Sequence, residues 1–226
     1  YVYNRKLSSF FAFENYVHDK KLAWIVLYGF TGLLIPASLA TALTISEGGY
    51  IREHGSHIDL NWVQLLLSPF AWSVVFLAII SVLYISSGFL TFYASKAKDK
   101  PAYHLTRQWH IFWHPPMIVI SLFVFLSLRI QNADHFNNAV FNYWWMFVIS
   151  FIFFLIAGAL TILKINHGLA FVMVILQMFF AFFGYGMSKL PFLLHPFVKI
   201  TGSHVNPEMG LALVIAFILG LILLIP

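Results

Sequence analysis

No cysteine occurs among the 226 residues. That excludes disulfides, thiolate-ligated haem, iron–sulfur clusters and a cysteine nucleophile, and it leaves the redox compartment open. Charge is nearly as scarce: 9% of residues are Asp, Glu, Lys or Arg and 61% are hydrophobic. A soluble domain carries roughly a quarter charged residues. A glycine-rich phosphate loop, a zinc-protease motif and a nucleophile elbow are also absent. The chain opens on Tyr1 without the charged-then-apolar build of a signal peptide. Residues 1–17 read as the end of something already under way, so the natural chain is expected to begin earlier.

What is present is apolar bulk. With 25 Phe, 10 Tyr and 7 Trp, the chain has more apolar surface than a soluble fold of this size hides. Lipid is the solvent that tolerates it. Charge-free windows near bilayer length predict spans at about 22–45, 65–93, 111–128, 139–163, 169–187 and 210–225. The expected architecture is an all-α, polytopic membrane helix bundle, one transmembrane helical domain over residues 1–226. Pro36 is expected to kink the first span, and Pro115–Pro116 to sit in the first turns of the third. Trp62, Trp109, Trp113, Tyr143, Trp144 and Trp145 gather at span ends as an interfacial belt.

The 13 basic residues divide unevenly between the two sides. Arg5, Lys6, Lys20, Lys21, Lys96, Lys98, Lys100, Arg107 and Lys164 fall on one side, and Arg52, Arg129, Lys189 and Lys199 on the other. The richer side is expected in the cytoplasm, with segment 1–21, loop 94–110 and the C-terminus. Loop 46–64 and segment 188–209 then face outward. The net charge of +5 thus reads as loop charge that orients a membrane protein; nucleic acid is not an expected partner.

No Asp, Glu, Lys or Arg occupies the middle of any predicted span, where a proton-coupled transporter or voltage sensor normally places one. His110 and His114, spaced i, i+4, share a helix face and could bind a metal. Their predicted position is the entry of a span, where interface histidines are ordinary. A bis-histidine haem site needs two histidines at matched depth on different helices, and none is predicted mid-span. His54, His57, His135, His167, His195 and His204 are expected in loops or at span edges. Gly184-Tyr185-Gly186 reads as close helix packing rather than an ion filter. Ser86, Ser87 and Gly88 suggest a face that another backbone approaches.

Three strings carry a family resemblance: IPASLATALTISEGGYI (35–51), FLTFYASKAKDKPAY (89–103) and FFGYGMSKLPFLLHPFVKITGSHVNPEMG (182–210). In order and over essentially the whole chain, the sequence resembles subunit II of the cytochrome bd quinol oxidases of Gram-positive bacteria. That subunit has eight spans; the six here look like the third to the eighth, with the first two and the family's proton-route acidic residue missing.

The resemblance implies a haem-free subunit of a terminal oxidase that oxidises quinol and reduces dioxygen to water in the bacterial cell membrane. Haem b and haem d would reside in the partner, oxidase subunit I, in a heterodimer that a small single-span subunit can join. Quinol would bind at the partner. No residue here is assigned a catalytic, cofactor-binding or metal-binding role. Arg5 looks like the family's arginine after its second span, and Glu47 lies in TISEGG at the outer end of a span. Both are candidates for the subunit interface or a proton path, although Glu47 taken alone reads as an exposed loop carboxylate. The alternative class is a secondary transporter or permease, with a midplane substrate between broken helices and internal repeats; no repeat is evident between the first three and last three spans. A haem-containing membrane reductase would need mid-depth histidines.

Overall fold

In lipid every backbone polar group must be satisfied within the protein, so long apolar stretches have little choice but to become helices. A computed structural model describes residues 22–54, 57–200, 211–212, 214–216 and 218–219. The elements in chain order are α1 (Leu22–Ile45), β1 (Ile51–His54), β2 (His57–Leu60), α2 (Trp62–Leu67), α3 (Pro69–Lys96) and α4 (Lys100–Gln131). They continue with α5 (Ala133–Phe141), α6 (Trp144–Ile162), α7 (His167–Lys189), β3 (Phe192–Leu194) and β4 (Val198–Lys199). Among the described residues, α1, α3, α4, α6 and α7 are long and apolar enough to cross a membrane. The fold is the all-α polytopic bundle. Arg5, His204 and most of the predicted 210–225 span lie outside the described residues.

Short polar side chains set the breaks between helices. Ser68 caps α3, its hydroxyl accepting from the Ala71 amide at 3.3 Å. Asp99 caps α4 through Ala102 at 3.2 Å, Asn132 caps α5 through His135 at 3.1 Å, and Asn166 caps α7 through Leu169 at 3.1 Å. Each satisfies a helix-end amide that would otherwise have no partner. Two small antiparallel hairpins, β1–β2 and β3–β4, fold over one end of the bundle; call it the hairpin end. The α3–α4 and α6–α7 turns lie at the opposite end. There Arg107 donates to the Thr161 and Ile162 carbonyls at the end of α6, both at 2.9 Å.

The core runs between antiparallel helix pairs. Tyr84, Met117, Phe154, Ala157, Val174 and Met178 join α3, α4, α6 and α7 in one cluster. Ala40, Phe70, Val74, Val124 and Leu128 join α1 to α3 and α4. Bulky side chains such as Leu39, Leu66, Phe123, Leu126 and Phe182 remain exposed, as lipid permits.

Three expectations change. Helix α4 begins at Lys100, well before the charge-free window at 111, because its polar first turns continue the helix past the apolar section. His110 and His114 are therefore inside the helix and not at its entry. Pro115 and Pro116 are likewise interior, so the amide bonds they would make one turn back are missing. His110 is 2% exposed and stacks on Tyr84 at a centroid distance of 4.8 Å. Its Nδ1 is 3.1 Å from the Tyr84 carbonyl and 3.3 Å from the Ser87 hydroxyl. What approaches Gly88 is this imidazole rather than another backbone: a Cβ there would lie 3.0 Å from its Cε1. On α6, Gly158 makes the matching notch for His114, where a Cβ would lie 3.1 Å from Cδ2 and Nε2. Gly184 packs against Met146 and Phe147, which fits the packing reading for that glycine, whereas Gly186 faces open space.

Because His110 is clamped by Tyr84 and Ser87, it has little room to yield. Gly88→Ala is expected to cost about 1–3 kcal/mol through overpacking, read as a lower midpoint of thermal unfolding in detergent. Combined with His110→Ala, the pair should cost less than the sum of the two single changes. Strict additivity would show that the notch is not what requires glycine at 88.

Candidate functional site

The feature most costly to build is at the hairpin end, where α1 gives way to a turn. Backbone bonds from the Glu47 amide to Thr44 and from the Gly48 amide to Ile45, each 3.1 Å, tighten the helix end. Gly48 and Gly49 then take φ of 87° and 85°, a left-handed conformation that glycine adopts without strain. A Cβ on Gly48 would also overlap the carbonyl oxygen of His195. This double-glycine turn directs Glu47 back into the protein. Glu47 is 1% exposed, so the exposed loop carboxylate expected from sequence is corrected to a buried one.

Two other stretches of chain converge on that carboxylate. From α5, His135 donates through Nδ1 to Oε2 at 2.9 Å. Asn132, while capping α5 with its oxygen, donates through Nδ2 to the same Oε2 at 3.1 Å. From α7, the Tyr185 hydroxyl donates to Oε1, and the Lys189 ammonium lies 3.3 Å from Oε1 while also donating to the Ser46 hydroxyl. The turn's carbonyls are used as well: Gln131 donates to Gly48 at 2.7 Å and the His195 amide to Ser46 at 3.1 Å.

Burial opposes ionisation of Glu47. The bonds from His135 and Tyr185 and the nearby Lys189 charge outweigh it, and the carboxyl is held below its ordinary pKa. His135 uses both ring nitrogens, because Nε2 is 2.9 Å from the Ser188 hydroxyl. A cavity of about 270 Å³ opens beside it, lined among others by Asp134, Asn138, Ser188, Lys189 and His195. Chemically this is an anion fixed by donors, suited to holding shape. It is poorly suited to exchanging a proton near neutrality.

Of the residues predicted from sequence, Glu47 enters this site and Arg5 is outside the described residues. His135, expected in a loop or at a span edge, is a buried partner in α5. Tyr185, read only as packing, and Lys189, counted only as loop charge, also belong to the site. The double glycine after Glu47 was the one local signal. His110 and His114 are remote from this end; their rings lie 4.7 Å apart, and His114 spends its Nδ1 on the His110 carbonyl at 2.8 Å. The described residues bring together no group of three His, Cys, Asp or Glu suited to a metal ion.

The model of one family, cytochrome bd terminal oxidase subunit II, matches residues 7–226. A Bacillus subtilis (strain 168) protein provisionally named cytochrome bd menaquinol oxidase subunit II is 29% identical over 227 residues, covering 97% of this chain and 65% of its own length. The solved structure of bd oxidase from Geobacillus thermodenitrificans contains a similar chain. It is 43% identical with a TM-score of 0.75, and the match covers 97% of this chain and 66% of that one. The chain thus spans about two thirds of the length of these relatives.

Removing one member of a buried ion pair strands the other, at a cost of about 3–5 kcal/mol. Glu47→Ala should show a loss of that size at neutral pH by detergent unfolding. Because the native carboxyl titrates below its unfolded value of about 4.3, its contribution is complete above that pH and is lost as pH falls through the native value. The gap in thermal midpoint between the parent chain and Glu47→Gln should therefore close in acid. A gap that stays constant across the pH range would sink this assignment.

Proposed function

The chain belongs to the cytochrome bd terminal oxidase subunit II family, and on that premise we propose that it serves as the haem-free subunit of such an oxidase. In this reading it packs against a haem-bearing subunit I that oxidises quinol and reduces dioxygen to water. Haems b and d and the quinol site belong to that partner, and a small single-span subunit can attach. The carrying observation is the family match over residues 7–226.

The residues give physical support. Described mid-span positions carry no charged side chain, and the interior is filled by clusters such as Tyr84, Met117, Phe154 and Val174. His110 and His114 are on one helix, each with a ring nitrogen on a backbone carbonyl and each seated in a glycine notch. Two histidines one turn apart cannot reach opposite faces of one porphyrin. In lipid, association with a partner relies on close contact of exposed faces, and the exposed aliphatic and aromatic sides of the spans offer such faces.

The proposed orientation has the α3–α4 turn and the C-terminus in the cytoplasm, with protons drawn from that side. Arg5 is assigned to the subunit interface near the partner's haems. Glu47, buried within this chain, is assigned to holding the hairpin end in shape for the subunit interface rather than to the proton path, since a carboxyl with a depressed pKa remains ionised and carries no proton at neutral pH. No observation here favours the permease alternative.

The test is mild purification, identification of co-purifying chains and a reduced-minus-oxidised optical spectrum. Haem bands travelling with a larger partner are expected. His110→Gln combined with His114→Gln should leave the haem content per assembled complex unchanged. Loss of a haem band from complex that still assembles, or a haem-free chain that transports a solute without a partner, would overturn the reading.

A further inference from the structure

Charge is distributed very differently at the two ends. Among the described residues the hairpin end has Arg52, Arg129, Lys189 and Lys199 against Glu47, Glu53, Asp59 and Asp134, a balance of zero. Among the described residues the opposite end has Lys96, Lys98, Lys100, Arg107 and Lys164 against Asp99, which makes +4. Even that acid is occupied, since its carboxylate caps α4. Arg107 is committed to the α6 carbonyls. The four lysines are exposed, and among the described residues none forms a salt bridge.

Backbone geometry supplies a second, separate observation. The α3–α4 and α6–α7 turns each hold a lysine in the left-handed conformation, Lys98 and Lys164, each with φ 59°; Asn166, which caps α7, also has a positive φ of 25°. A side chain there costs roughly 1 kcal/mol relative to glycine. Both turns accept that strain and place an ammonium at the tip. Around them Tyr93, Leu105, Trp109, Leu163 and Ile165 are exposed, the mixture of amphipathic rings and aliphatic chains found at the level of lipid headgroups.

We propose that these two turns form a docking surface for anionic phospholipids, with Lys98 and Lys164 meeting headgroup phosphates and Lys96 and Lys100 adding to the field. Zwitterionic lipid has the same phosphate but no net charge, so electrostatic attraction at this end selects anionic lipid. The proposal rests on the described helices and turns, independently of the oxidase reading.

The test uses the protein as it purifies from membranes, with whatever chains accompany it. Native mass spectrometry would follow titration with phosphatidylglycerol and, separately, with phosphatidylcholine. The parent protein should prefer phosphatidylglycerol. Lys98→Gly with Lys164→Gly should weaken that preference by about fivefold per lysine, while the thermal midpoint holds or rises because backbone strain is relieved. Arg129→Gln, at the other end, should leave the preference intact. Three results would overturn the proposal: equal binding of both lipids by the parent protein, an undiminished preference in the double-glycine variant, or competition by inorganic phosphate at constant ionic strength.

Discussion

A carboxylate taken out of water must be met by donors, and the hairpin end of this bundle is organised around meeting one. Glu47 draws His135 and Asn132 from α5 and Tyr185 and Lys189 from α7. Desolvating such a group costs several kcal/mol, recovered only when donors are already held in place. Asn132 is held because it caps a helix, His135 because its far nitrogen meets Ser188, and Ser188 because its hydroxyl donates to the Tyr185 carbonyl at 2.9 Å. Satisfying one ion thus orders the end of α1, the α4–α5 corner and the top of α7 together.

This dependence explains what could be read without coordinates. The long helices are legible because the bilayer demands length and apolarity, which are properties of consecutive residues. Leu22–Ile45 coincides with its charge-free window. Helix α4 does not, since a helix leaving the bilayer keeps its hydrogen bonds while its side chains turn polar, and a hydropathy window sees only the side chains. The true depth of His110 was hidden for that reason.

The site was much less legible. Glu47, His135 and Tyr185 are separated by long stretches of chain, and a buried carboxylate has no local signature beyond the glycines that turn it inward. Hydropathy places Glu47 just past a span and therefore in water. Only the convergence of α5 and α7 reverses that reading. Gly88 and Gly158 were similarly ambiguous: a glycine in a membrane helix announces a close neighbour without saying whether it is a backbone or an imidazole.

The two ends solve opposite problems with the same few charged residues. Among the described residues of the hairpin end cations and anions are equal in number, and at least one pair is internal. At the other end Lys98 and Lys164 extend from strained turns, and pairing them internally would leave less for an anionic membrane to attract. A bundle whose middle is uncharged has little except its ends to define its direction and depth in lipid. With the lysine-bearing turns facing an anionic leaflet, as proposed, the charge difference between the ends among the described residues favours one direction, because a reversed chain would remove those lysines from the leaflet.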